Sequence, residues 1–79
     1  MKVNILYFAQ LSEKLGFTKE EFDIPDNMGS DALIEKLRVK YHELKDLEFA
    51  VSVNQTIVKT DTPLKEGIEI ALLPPFAGG

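Results

Sequence analysis

The chain contains no cysteine. Disulfides, thiolate metal sites and a cysteine nucleophile are excluded together. Any sulfur carried by this chain would have to sit on another group. There is one histidine, His42, with no cysteine and no histidine–aspartate cluster near it in the sequence. Zinc sites need three or four converging ligands, so His42 reads as a surface residue of a helix and no metal is expected. No apolar run approaches the length of a membrane span. The opening Met1-Lys2-Val3-Asn4-Ile5-Leu6-Tyr7-Phe8 is too short an apolar run for a secretory signal, and Gln10, Ser12, Glu13 and Lys14 follow at once. A soluble, cytoplasmic chain with no membrane partner is expected. Basic residues are in the minority, 9 against 13 acidic, for a net charge of −4. Phosphate backbones repel such a chain, so nucleic acid is disfavoured as a partner and a basic protein surface is favoured. There is no phosphate-cradling glycine loop, so no cofactor is expected on this chain.

What is present fits a single small domain. The 79 residues, 44% of them hydrophobic, leave no room for a second core. A domain of this size has no space for a deep pocket around a large substrate. Chemistry done with a partner is therefore favoured over chemistry done alone.

Val3 to Phe8 is nearly continuous in apolarity and reads as a buried, central strand. Ala9 to Leu15, with Leu11 and Leu15 four apart and Gly16 as a stop, reads as a short helix. Thr18 to Ile24 alternates, with Phe22 and Ile24 on one face. It reads as a half-exposed strand ended by Pro25-Asp26-Asn27, with Glu20, Glu21 and Asp23 solvated. Residues 29–44 carry Leu33, Ile34, Leu37, Tyr41 and Leu44 at helical spacing and read as the one long helix, capped by Gly29 or Ser30. Phe49 to Asn54 places Phe49, Val51 and Val53 on one face of a strand. Asn54-Gln55 turns into a short strand at Ile57-Val58, and Asp61-Thr62-Pro63 ends it. Ile68 to Leu73 is the last strand. The most apolar strands, first and last, are expected side by side in the centre of the sheet. The order predicts an α+β domain of β-grasp (ubiquitin-like) type over residues 1–73. It would have a mixed sheet of four to five strands with one main helix on one face. A ferredoxin-like split arrangement is the rival.

The end of the chain carries the chemistry. Pro74 and Pro75 lack an amide hydrogen, so they stop the last strand and send the chain outward. At about 3.1 Å per residue, residues 74–79 would reach on the order of 19 Å as a flexible tail. Gly78 and Gly79 have no side chains, so the terminus could thread a narrow channel to another protein's catalytic groups. Chain ends are often small and disordered, which is the bland alternative. A terminal Gly-Gly arises by chance in roughly one chain in 200, and a Pro-Pro just before it makes coincidence rarer.

These residues resemble a known family. Leu72-Leu73-Pro74-Pro75-Phe76-Ala77-Gly78-Gly79 looks like the C-terminus of the small subunits of molybdopterin synthase, the MoaD family. Val53-Asn54-Gln55-Thr56-Ile57-Val58, Pro63-Leu64-Lys65-Glu66-Gly67 and Leu6-Tyr7-Phe8-Ala9-Gln10 resemble its other blocks. The resemblance covers the whole chain. Three positions depart from it: Phe76 stands where a smaller aliphatic is usual, Ile68 where an acidic residue is frequent, and Ser12 where a basic one is common.

The resemblance implies a sulfur carrier. A ubiquitin-activating-type partner would use ATP to adenylate the Gly79 carboxylate, and a sulfur donor would displace AMP to leave a thiocarboxylate. A large catalytic subunit, in a heterotetramer with this chain, would pass that sulfur to a pterin precursor. The tail residues Pro74, Pro75, Phe76, Ala77 and Gly78 would deliver Gly79. By resemblance, Phe8, Ile57 and Leu73 lie near partner contacts; for Phe8 and Leu73 the alternative is ordinary core packing. A carrier for thiamine synthesis or tRNA thiolation, a ubiquitin-like protein modifier and a plain docking module remain open alternatives.

Overall fold

The computed structural model describes residues 1–75. Strand β1 spans Lys2–Tyr7, helix α1 Gln10–Leu15, strand β2 Lys19–Asp23 and helix α2 Ser30–Lys40. A 3-10 turn at His42–Leu44 leads to strands β3 Ala50–Val53, β4 Thr56–Val58 and β5 Glu69–Leu73. The strands form one five-stranded sheet in the order β2-β1-β5-β3-β4. Among the described residues only the β1–β5 pair is parallel; the neighbouring pairs are antiparallel. The two most apolar strands therefore lie together near the middle, as expected. One main helix and a parallel pairing of first and last strands give the β-grasp arrangement and rule out the ferredoxin-like rival.

The register separates the two faces of the sheet. Val3, Ile5 and Tyr7 of β1, Ile70 and Leu72 of β5 and Val53 of β3 are buried in one core with Leu33 and Leu37 of α2. Leu6 pairs with Ala71, Ala71 with Ser52, and Ser52 with Ile57. These four alternate with the core residues and so share the other face. Ala71 and Ser52 are small and sink between larger neighbours, at 6% and 5% exposure. Strand β5 is thus covered on both sides around Ala71, which accounts for its unbroken apolar run.

Helix α2 ends four residues before its apolar stripe does. Tyr41 leaves the helix in an extended conformation, φ −118° and ψ 97°, and Leu44 reaches the core through the 3-10 turn instead. Arg38 holds this break. Its guanidinium donates to the carbonyls of Leu44, Lys45 (3.2 Å) and Leu47 (3.0 Å) and lies 4.4 Å over the Phe49 ring. His42 sits exposed on the 3-10 turn, beside Glu43. The other end of α2 is capped from a distance: Asp61 accepts the Asp31 amide at 2.9 Å, and the Ser30 hydroxyl accepts the Thr62 amide at 2.9 Å. Strand β3 is shorter than expected, because Phe49 packs beside Arg38 rather than pairing.

Glu20 corrects the sequence reading. It shares a face with Phe22, toward the core, and its side chain is only 18% exposed. Its carboxylate accepts the Tyr7 hydroxyl at 2.7 Å, the Tyr41 hydroxyl at 2.7 Å and the Lys40 ammonium at 3.2 Å. Phe17 packs edge-on against both tyrosine rings. The cluster ties the helix break at Tyr41 to β1 and β2.

Candidate functional site

Strand β5 stops at Leu73, and the half-buried Pro74 and exposed Pro75 lead away from it. Proline supplies no ladder donor, so sheet pairing ends here for a local reason. The tail positions Phe76, Ala77, Gly78 and Gly79 lie outside the described residues.

The three residues expected near partner contacts fall on one face, next to this exit. Leu73 pairs with Ala50, two residues along β5 from Ala71, and so lies on the face away from α2. The Phe8 amide donates to the Leu72 carbonyl at 3.2 Å, which carries the parallel ladder one residue beyond Tyr7 and sets Phe8 beside Leu73. Ile57 lies across Ser52, about 12 Å from Leu73 by strand spacings. Phe8 and Ile57 are 44% and 40% exposed, while Leu73 is half-buried. Leu6 and Ala50, both half-buried, lie between them, above the buried Ser52 and Ala71, and the sequence offers no separate sign of them. The parity of Leu6 with Phe8 and of Ala71 with Leu73 is the only trace, and apolar runs on both faces hide it.

The turn that follows Phe8 is unusual. The Leu11 amide donates to the Phe8 carbonyl at 3.1 Å, closing a four-residue turn. Ala9, its first central residue, has φ 52° and ψ −129°. That is the position in a type II′ turn that favours glycine. A side chain there costs on the order of 1–3 kcal/mol. The Ala9 carbonyl accepts the Ser12 hydroxyl at 2.7 Å and the Glu13 amide at 3.2 Å, which hold the turn closed. Ser12, one of the departures from the family pattern, thus has a local role. Sequence offers no sign of the positive φ at Ala9.

This face can bury apolar area against another protein and little else. It presents no nucleophile beside a base. Among the described residues, no group of three or more His, Cys, Asp or Glu side chains could hold a metal ion. No helix among them is long and apolar enough to cross a membrane. Covering what remains exposed of Phe8 and Ile57 is worth about 1 kcal/mol each.

The perturbed acid–base groups lie on the opposite side of the sheet. Burial raises the Glu20 pKa, but the phenol donors Tyr7 and Tyr41 and the Lys40 ammonium outweigh it and hold the carboxyl below its ordinary value. Burial, then the Glu20 hydrogen bond, pushes the Tyr7 phenol well above its ordinary range. A carboxylate kept ionised by two phenols that stay protonated is a structural lock. It offers no proton to exchange near neutral pH.

Comparison with known proteins agrees with this architecture. The ThiS family model matches residues 5–79. A Mycobacterium tuberculosis relative, the molybdopterin synthase sulfur carrier subunit, is 35% identical over 100% of this chain and 99% of its own length. A Pyrococcus furiosus protein assigned as molybdopterin converting factor subunit 1 superposes with a TM-score of 0.89 at 26% identity, covering 96% of this chain and 99% of that one. A Helicobacter pylori structure, a complex of subunits 1 and 2 of molybdopterin-converting factor, matches with a TM-score of 0.73 at 26% identity, with 100% of both chains covered. With nearly the whole chain under one family model and a curated relative aligned end to end, the protein belongs to the ThiS family.

Proposed function

We propose that this chain is the sulfur-carrier subunit of a molybdopterin synthase, working through the carboxylate of Gly79. The observation that carries the reading is the end-to-end likeness to relatives named molybdopterin synthase sulfur carrier subunit. The apolar face beside the point where Pro74 and Pro75 leave the sheet supports it, because a carrier must be held while its end is worked on.

The chemistry follows from the weakness of a carboxylate as an electrophile. An adenylating partner joins a Gly79 carboxylate oxygen to the α-phosphorus of ATP and releases pyrophosphate. AMP then leaves when a sulfur nucleophile attacks the acyl carbon. A persulfide donor leaves an acyl disulfide; a thiol then attacks its donor-side sulfur, forming a donor disulfide and leaving Gly79 as a thiocarboxylate. Its sulfur is anionic, polarizable and nucleophilic. In the large catalytic subunit that sulfur attacks the pterin precursor, and water then frees the carrier as its carboxylate. The chain itself binds no cofactor in this cycle; the ATP belongs to the adenylating partner. Two copies of each subunit make the working heterotetramer, in the cytoplasm where ATP is supplied. Gly78 and Gly79 give the tail its narrow tip, and a chain without cysteine carries no thiol to attack its own thiocarboxylate.

The complex of subunits 1 and 2 supports a large partner for this chain. A single-turnover reconstitution tests the reading. Thiocarboxylated chain and large subunit are mixed with the pterin precursor. Sulfurated pterin is expected in proportion to thiocarboxylate consumed. Isopeptide adducts on lysines, with no sulfurated pterin, would instead mark a protein modifier.

A further inference from the structure

Ala9 is strained, exposed and next to the docking face, and those three facts do not fit a purely internal role. Its backbone sits at φ 52° and ψ −129°, where glycine is relaxed and any side chain is not. The residue is exposed, so its methyl group gains little by burial against its own chain. The chain nevertheless holds the turn firmly. The Ser12 hydroxyl and the Glu13 amide both donate to the Ala9 carbonyl, the Leu11 amide donates to Phe8, and Leu11 itself is 2% exposed and anchored in the core. For folding alone, glycine would serve this position better.

We infer that Ala9 is a partner-contact residue: its exposed methyl group, next along the chain from Phe8, is recognised by the large catalytic subunit. This rests on the sulfur-carrier reading, because it takes the large subunit as the occupant of that face. Continuity argues for one occupant. Ala9 directly follows Phe8, which stands beside Leu73, the last residue of β5 before Pro74 and Pro75. A protein that both holds the domain and receives the end of this chain covers the place where the chain leaves the sheet, and Ala9 lies on the border of that footprint. The strain is retained because a β-carbon here adds apolar contact and limits backbone freedom at the edge of the interface. A glycine would supply neither.

The inference predicts opposite signs for folding and binding in one substitution. Ala9→Gly relieves the turn, so Tm is unchanged or raised. Its affinity for the large subunit, measured by titration calorimetry on the full chain, falls roughly three- to tenfold. Ala9→Ser keeps the β-carbon and stays within about twofold of wild type. Wild-type affinity in Ala9→Gly overturns the inference. So does a fall in Tm that accompanies the loss of affinity, because Ala9 would then serve the fold and not the partner. Phe8→Ala is the control for the face itself. If Phe8→Ala weakens binding while Ala9→Gly does not, the inference fails and the docking face stands. If neither variant weakens binding to the large subunit, the docking face fails with it.

Discussion

Replacing Glu20 by glutamine removes one charge from the cluster that joins α2 to the sheet and keeps its size. The carboxylate accepts the Tyr7 and Tyr41 hydroxyls at 2.7 Å each and Lys40 at 3.2 Å. Hydrogen bonds to a charged acceptor contribute about 1.5–3 kcal/mol, against about 0.5–1.5 for neutral pairs. Glutamine has one carbonyl oxygen, so it keeps one phenol as a neutral bond and turns an amide NH₂ toward the other. Lys40 is half-exposed and adds less than about 1 kcal/mol. Avoiding the burial of a charge returns part of the loss. The net is a destabilisation of about 2 kcal/mol, or roughly 8–16 °C in Tm for a domain of this length. The sign with pH is fixed by the direction of the shift. Glu20 is held below its ordinary pKa, so its contribution is present above the unfolded-state value and is lost as pH falls through the folded-state value. The gap between wild type and Glu20→Gln is therefore full at neutral pH and closes on acidification below about pH 4. Thermal melts followed by circular dichroism from neutral to acid pH measure it. A variant that melts within about 2 °C of wild type at pH 7 would mean that Glu20 does not hold this cluster. So would a gap that does not narrow in acid.

Three other consequences are open to measurement. Gly29→Ala pushes a β-carbon into the Asp61 carboxylate, which caps α2 through the Asp31 amide. Losing that cap costs about 1 kcal/mol, and the Gly29→Ala/Asp61→Ala double variant costs less than the sum because both act through one contact. Asn54→Ala removes the side-chain acceptor of the Glu69 amide and places alanine at φ 48°; chemical denaturation is expected to show a loss of about 1–2 kcal/mol. Ile57→Lys puts a charge on the face beside the tail exit. It is expected to weaken binding of the large subunit roughly tenfold or more, read by calorimetry, while Tm moves by less than about 4 °C.

The fold was legible because its apolar runs and turn residues agree. The runs at Val3–Phe8 and Ile68–Leu73 pointed to neighbouring strands in the sheet interior, and Asn54-Gln55 marked a hairpin whose two residues both take positive φ. The end of α2 is hidden in the sequence, because Leu44 continues the helical stripe yet reaches the core by a 3-10 turn held by Arg38. Nothing local distinguishes the two routes; the donor that ends the helix finds its carbonyls only after the chain has turned back. Glu20 reads as solvated although it shares parity with Phe22. Two distant tyrosines make its burial tolerable, and pairing over that distance is not written in a five-residue strand. Phe8, Ile57 and Leu73 could each be read as strand residues, but their common face depends on β5 lying between β1 and β3. The turn at Ala9 had no sequence signal, since alanine is not the residue that turn calls for.

On the sulfur-carrier reading proposed above, the working group is the Gly79 carboxylate. The most direct measurement is the intact mass of the full chain after incubation with its adenylating partner, ATP and a sulfur donor, with fragmentation to place the change. Exchange of one oxygen for sulfur at Gly79 is expected, absent without ATP, while a chain lacking Gly79 melts as wild type but takes up no sulfur. An unchanged mass in the full chain, or sulfur found on any other residue, would contradict that reading.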